Sequence, residues 1–467
     1  MKSKFNKVLI IGLDSAEPSL IYNEWLKELP AFREILQKGI YSKLKSTIPP
    51  ITVPAWMSMM TGKTPGELGV YGFRNKVDRG EGILKTIDSY DVQHRKIWDI
   101  IALEGKKSII NGVPLTFPIK KINGNIVSCF MTPSQESNFT HPKLLKDELI
   151  SNFGNIQFDI KGFRRLEKDE LIDEIRSYTE QQFDITDYLT NNKEWDFAAM
   201  VEMGTDRIQH AFWNYMDENH VLFEPNSPHK NVIFNHYKYL DSRVAKLINN
   251  VPDNTLIMIV SDHGAKRMEG GFCFNEWLIE KEYLVLKNYP KEITPFEELN
   301  IDWVKTRAYS FGGYYGRLFI NKSYLTKEQQ TSLMLEIKSE IEKIKFTENK
   351  ECMNNKVYLP SHIYPKVNNY PPEGIVYFNN LYWRAISSVG HRGNFIRNND
   401  TGPDGSNHSQ EGIFMCIHKK NNKLIKPQAI QDHIKEISIY DIVPTLIDVF
   451  DIKYSDNFIG KSIFRKV

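Results

Sequence analysis

Asp206 and His210 stand four residues apart in a stretch with helical patterning, Thr205-Asp-Arg-Ile-Gln-His210, so both side chains leave one face of a helix. A carboxylate beside an imidazole suits a divalent cation that takes mixed oxygen and nitrogen ligands. Asp262 and His263 adjoin just after the apolar run 255–261, where the turn following a strand can aim both into a crevice. His408 stands in the polar loop 403–409, and Asp14 ends the apolar run that starts at Lys7. Each residue also has an ordinary use. An acid at a strand end caps a turn or helix, a loop histidine is solvated, and an Asp/His pair at this spacing makes a surface hydrogen bond. What unites them is position: all adjoin segments expected in one α/β sheet, whose strand ends form a single ligand-binding edge.

A fifth place completes the set. In Pro49-Pro50-Ile51-Thr52-Val53-Pro54 the prolines exclude regular structure as far as Thr52, and from Pro54 the pattern Trp56, Met59, Met60 reads as a short helix. Thr52 therefore falls at a helix N-terminus, where free N–H groups and the positive end of the dipole favour an anion such as phosphate. Threonine is also a preferred N-cap, and on this stretch alone that reading competes.

The elements that must position these residues alternate. Residues 7–14, 41–47, 108–113, 195–203, 255–261 and 412–418 read as strands, and the apolar ones are continuous runs of the kind a parallel strand buried on both faces requires. Residues 31–38, 96–104, 205–213, 234–248 and 439–450 carry helical periodicity. The stretch 134–191 is charged and helix-rich, and 274–401 turns to aromatics, Asn, Lys and Pro without strand–helix alternation. The expected organisation is an α/β core in three pieces, 1–133, 192–273 and 402–467, interrupted by a helix-rich insertion at 134–191 and a cap at 274–401.

Bulk properties narrow the function. Lys+Arg 60 against Asp+Glu 58 leaves a formal charge of +2, which gives no footprint for nucleic acid or an anionic membrane. Cys129, Cys273, Cys352 and Cys416 are far apart and form neither a disulfide framework nor a cysteine-based zinc motif. No apolar run is long enough to span a bilayer and no secretory signal precedes the first strand, so a reduced, cytoplasmic protein is expected.

Taken in order, Leu13-Asp14, Pro50-Ile-Thr52-Val-Pro54, Thr61-Gly62, Pro65-Gly66, Gly69-Val70, Asp206-x-x-x-His210, Ser261-Asp262-His263-Gly264, Asn407-His408, Tyr440-Asp441-Ile-Val-Pro444-Thr445-Leu446 and Gly460-Lys461-Ser462 carry a family likeness over nearly the whole chain. They resemble the alkaline phosphatase superfamily, nearest its type I phosphodiesterase/nucleotide pyrophosphatase branch and the bacterial and archaeal phosphohydrolase or phosphomutase relatives. The resemblance implies an α/β, alkaline-phosphatase-like three-layer sandwich with a mostly parallel central sheet and inserted cap elements. It implies two divalent ions, zinc with manganese as the alternative, one held by Asp206, His210 and His408 and the other by Asp14, Asp262, His263 and the Thr52 hydroxyl. Thr52 would then attack phosphorus, and a phospho-Thr52 intermediate would be hydrolysed. Two cations about 4 Å apart fit such a displacement, because they activate the nucleophile and stabilise the leaving oxygen.

The implied substrate is a small phosphodiester or pyrophosphate of the nucleotide or nucleotide-sugar kind. The family's aromatic after the nucleophile is Val53 here, and its phosphate-binding asparagine falls on Phe73, with Asn75 nearest. Tyr71, Phe73 and Asn75 are thus the substrate-side candidates, beside the alternative of an ordinary packed loop. Sulfatase chemistry is disfavoured because Trp56 stands where its arginine would fall. A phosphomonoesterase or phosphomutase would use the same centre, with Lys305, Arg307 or Arg392 answering the extra phosphate charge, and a non-catalytic binding protein of the same fold is the rival from another class.

Overall fold

The strand Lys7–Leu13 (β1) is apolar from Val8 onward because both of its faces are covered. The computed structural model describes residues 5–77, 82–346, 351–399, 402, 404–428 and 436–464. In it β1 is the middle of the central sheet, flanked in parallel by Phe197–Glu202 (β4) and Thr255–Val260 (β5), with Ile10 opposite Ala199 and Met258. The sheet runs, in order, Ile437–Ser438, Ile40–Lys45 (β2), Glu411–Lys420 (β6), β5, β1, β4, Ser108–Asn111 (β3), Gly124–Val127 and Thr140–His141, with Lys423–Ile425 beside β6. Of its ten strands only β6 and Thr140–His141 run against the rest. This is the mostly parallel sheet expected from the sequence.

Helices cover both faces. Gly12 of β1 lies under the indole of Trp56, whose ring carbon would be 2.4 Å from a Cβ built there, so only glycine lets the helix Thr52–Thr61 (α1) lie this close. Glu202, on the opposite face of β4, accepts from Thr179 of the long helix Lys168–Asn192 (α2). On the α2 side lie Gly204–Met216 (α3) and Val232–Asn250 (α4), and on the α1 side Ile97–Ile101 and Ile442–Val449. The result is a three-layer α/β sandwich.

The helix α2 occupies the end of the stretch read as a helix-rich insertion, runs one residue past it, and packs directly on β3 and β4 as part of a covering layer. One segment differs from the sequence expectation. His408, expected in a loop, lies on a short strand, Ser406–Ser409, paired antiparallel with Gly264–Arg267 so that Ala265 faces His408. Ser-Asn-His-Ser has no apolar alternation to announce a strand; the pairing comes from its partner, which continues the chain directly after His263. The region assigned to the cap has its own core around Phe274, Tyr309 and Phe319, beside an antiparallel sheet of Ala308–Phe311, Gly316–Ile320, Gly374–Tyr377 and Lys356–Tyr358. Thr401, where the sequence reading ends the cap, and Pro403 lie outside the described residues. Among the described residues no helix is long and apolar enough to cross a membrane.

Candidate active site

Topology explains why the site residues meet. Asp14 follows β1, Asp206 follows β4, Asp262 and His263 follow β5, and Thr52 comes after β2; all these strands run the same way, so all end at one edge. The reversed strand β6 begins at that edge, and His408 stands just before it. Direction, more than distance along the chain, gathers the set.

All seven residues are buried, and six of them form two adjoining groups: Asp206, His210 and His408, and Asp14, Asp262 and His263. In each, the oxygen and nitrogen atoms lie within 4.8 Å of one another. His210 Nε2 is 3.1 Å from Asp206 Oδ1, and His408 Nε2 is 3.9 Å from the same oxygen. His263 Nε2 is 3.2 Å from Asp262 Oδ2 and 3.9 Å from Asp14 Oδ1. The rings of His263 and His408 stack at 3.8 Å between centroids, joining the groups.

The donor set fits cations. Asp14 Oδ1 and Asp262 Oδ2 are buried without a hydrogen-bond donor, an expensive state for carboxylate oxygens unless something positive faces them. The histidines are oriented to match. Nδ1–H of His408 donates to the Pro50 carbonyl at 2.7 Å, that of His263 to the Gly264 carbonyl at 3.0 Å, and that of His210 to Asp404 Oδ1 at 2.8 Å. Each arrangement leaves Nε2 facing its group, the tautomer a metal ligand needs.

Electrostatics agree. Burial, reinforced by the Asp262 and Asp206 carboxylates, pushes Asp14 well above the carboxylate range, and burial does the same to Asp262. Burial lowers His263 to about 4 and takes His408 well below the ordinary imidazole value, so both are neutral. His210 is the exception: burial would lower it, but Asp404 and Asp206 outweigh burial and hold it at about 9. A cation on Nε2 would displace that proton.

Thr52 opens α1, where Ile51 is the N-cap residue and no side chain caps the helix. The N-cap reading of Thr52 is therefore not what its hydroxyl does. Oγ1 lies 3.4 Å from His263 Nε2, at the group containing Asp14 and Asp262. One turn on, Trp56 donates its indole N–H to Asp14 Oδ2 at 2.6 Å, leaving Oδ1 free to face the group. Ser15 has a positive φ of 63°, a strained conformation for a residue with a Cβ. The turn brings its N–H to Asp262 Oδ1 at 3.2 Å, linking the ends of β1 and β5.

Several residues that contact or position these groups were not among the sequence candidates. Arg207 donates to Asp206 Oδ2 at 2.7 Å and forks onto Asp159 at 3.0 and 3.1 Å. Glu202 accepts from Gly204 N, Thr205 N and Thr205 Oγ1, fixing the start of α3 and with it Asp206 and His210. Asp404 accepts from His210 and also, at Oδ2, from Arg164 at 3.1 Å and Tyr314 O–H at 3.0 Å. Trp56 had a readable signal, one helical turn from Thr52. Arg164 and Tyr314 come from the two inserted regions and carried none.

The carboxylate of Asp404 is fully buried and fixes the His210 ring, so Asp404→Asn is expected to weaken metal binding about 10- to 100-fold, as loss of such outer partners does. Competitive titration with a coloured chelator measures this, and unchanged affinity would remove Asp404 from the centre.

The substrate-side candidates lie elsewhere in the loop after α1. Asn75 accepts from Tyr71 N at 3.0 Å and donates to the Gly69 carbonyl at 2.7 Å, while Tyr71 O–H donates to the Asn368 carbonyl at 2.6 Å. Phe73 is half-buried and meets Phe130 edge-on at 6.1 Å. Lys305 pairs with Asp302, Arg307 lies over Tyr283, and the Arg392 N–H faces Glu276.

The sequence profile of the type I phosphodiesterase / nucleotide pyrophosphatase family matches residues 8–403. The chain belongs to this family. As a type I phosphodiesterase / nucleotide pyrophosphatase family member it is a metal-dependent hydrolase of phosphoric ester bonds, acting on small phosphorylated substrates. No curated protein sequence matches it. Solved structures share its fold at low identity. Human ectonucleotide pyrophosphatase/phosphodiesterase 5 is 13% identical with a TM-score of 0.54, covering 97% of each chain. The murine protein of the same name is 12% identical with a TM-score of 0.52 and the same coverage. Phosphonoacetate hydrolase from Sinorhizobium meliloti 1021, in complex with phosphonoformate, is 13% identical with a TM-score of 0.58 over 96% of each chain.

Proposed function

We propose that this family member cleaves a phosphodiester or pyrophosphate bond in a nucleotide or nucleotide-sugar-like substrate through a covalent phosphothreonine at Thr52. The observation that carries this reading is the uncapping hydroxyl of Thr52 beside His263, at a group with two unpartnered carboxylate oxygens. Asp206, His210 and His408 would hold one zinc ion, and Asp14, Asp262, His263 and Thr52 the other, with manganese as the alternative metal. Bound there, the ions supply the positive charge that makes a threonine hydroxyl nucleophilic at neutral pH and that offsets charge on the leaving oxygen.

The rest is done by the chain. Thr52 Oγ loses its proton to solvent and forms the new P–O bond as the bond to the leaving oxygen breaks, and that oxygen takes a proton from water. The first-turn N–H groups of α1, which have no acceptor inside the helix, face the negative phosphoryl oxygens. Water then attacks phosphorus, the Thr52–phosphate bond breaks, and the hydroxyl is restored. Trp56 and Ser15 N–H keep Asp14 and Asp262 aligned throughout.

Phe73, half-buried beside Phe130, is the surface on which we place the leaving group's apolar part, with Tyr71 and Asn75 shaping the loop behind it. Four thiols without a disulfide suit a reducing, cytoplasmic setting.

Hydrolysis of bis-p-nitrophenyl phosphate and p-nitrophenyl phosphate by protein loaded with Zn²⁺ or Mn²⁺ is the direct test. Diester turnover is expected to exceed monoester turnover by at least about tenfold, since Lys305, Arg307 and Arg392, the cations considered for the second negative charge, are engaged with Asp302, Tyr283 and Glu276. A monoester preference would reassign the enzyme as a phosphomonoesterase. No turnover of either substrate with any metal would favour a non-catalytic binding protein.

A further inference from the structure

A cleft of about 680 Å³ opens between the cap and the strand Arg74–Lys76. Phe296 and Phe311 give it an apolar wall, while Arg74, Arg317, Ser388 and His391 give it polar ones. None of the seven residues of the candidate active site lines it. Its size and mixed lining are those of a small-molecule site.

Arg317 is the unusual member. It is only 8% exposed, and its guanidinium lies over the ring of Phe311. Nη1 donates to the Arg74 carbonyl at 2.8 Å and Nη2 reaches the Gly312 carbonyl at 3.5 Å. Among the described residues no carboxylate pairs with it. The acid in the cleft wall, Glu297, lies 3.8 Å from Arg74 instead, and both of those side chains are more than half exposed. Burial lowers Arg317 from its usual value and Arg74 adds to this, outweighing the opposing effects of Tyr315 and Glu297. A guanidinium stays charged in proteins, and burying that charge without an opposite one is costly. Its planar fork matches phosphate and carboxylate oxygens.

We propose that this cleft is a second ligand site, separate from the metal centre, for a small organic anion. Arg317 and Arg74 hold its phosphate, phosphonate or carboxylate group, and Phe296 and Phe311 hold its apolar body. The occupant also bears on the hairpin between Ala308–Phe311 and Gly316–Ile320: Gly312 lines the cleft, and two residues further Tyr314 stacks on His210.

Phenylphosphonate, which has no ester bond, is the probe. Calorimetric titration of the metal-loaded protein is expected to show two binding events, one matching inhibition of turnover and one independent of it. Arg74→Ser and Arg317→Met should each weaken the second event at least about tenfold while turnover stays within about twofold of wild type. Should Arg317→Met fail to fold, Arg74→Ser decides, because its side chain is 54% exposed and its loss leaves the core untouched. A single event, or a second event that Arg74→Ser leaves unchanged, overturns the proposal. So does loss of turnover in step with binding, which would merge the cleft with the active site.

Discussion

Thr52→Ala is expected to lower turnover by at least about four orders of magnitude, with the protein folded. The hydroxyl is the only part of the side chain the proposed chemistry uses. It caps nothing, and Ile51 provides the N-cap, so alanine, a better helix former, leaves α1 intact. The ligands Asp14, Asp262 and His263 remain in place. Thr52→Ser keeps an oxygen at the same atom and should retain most of the activity lost by alanine. Mass spectrometry of acid-quenched wild-type protein should find phosphate on Thr52. Wild-type rates in purified, metal-replete Thr52→Ala protein would sink the covalent route.

Asp14→Asn should have opposite effects with and without metal. In chelated protein Asp14 is a fully buried carboxylate, with Oδ1 unpartnered and the Asp262 carboxylate beside it. Asparagine keeps an oxygen for the Trp56 indole and replaces the unpartnered oxygen with an amide that can donate. The metal-free variant is therefore expected to be more stable than metal-free wild type by about 1–3 kcal/mol, the scale of leaving a buried polar group unsatisfied. With metal the order reverses, because the variant loses a ligand and the stabilisation that binding confers on the folded state. Thermal melts with and without chelator measure both. A variant that melts lower than wild type in both states would show that Asp14 acts as an ordinary structural carboxylate.

Much of the site could be read before the fold was known, for a physical reason. A strand buried on both faces must be a continuous apolar run, so the chemical residue that ends it is conspicuous: Asp14 after Leu13 and Asp262 after the run ending at Ser261. Asp206 and His210 were legible from helical spacing alone. The partners of these residues were not. Asp404 is one residue of the polar loop read for His408, and only the folded chain shows its carboxylate between His210, Arg164 and Tyr314. Arg164 and Tyr314 reach that point from segments without periodicity, and long-range placement of this kind leaves no local mark. The strand at Ser406–Ser409 was hidden for a similar reason, its pairing being dictated by the chain after His263. Asn75 shows the reverse case, a residue with chemical potential whose amide is used within its own loop.

The reversed strand β6 has a further consequence, for the order of assembly. Ile40–Lys45 is made early in synthesis, yet its described ladder partners are β6 and Ile437–Ser438, both from the last part of the chain. Between the two times it is an unpaired strand, waiting for more than three hundred residues of later sequence. β6 must enter between β2 and β5, and its arrival closes the sheet and delivers His408 together. Formation of the first metal group is thus tied to the final long-range pairing, the slow kind in which loop-closure entropy is paid before contact is made. A nascent chain that has not yet produced β6 presents a bare strand edge and lacks His408, so a cation held by the first group would report a finished sheet.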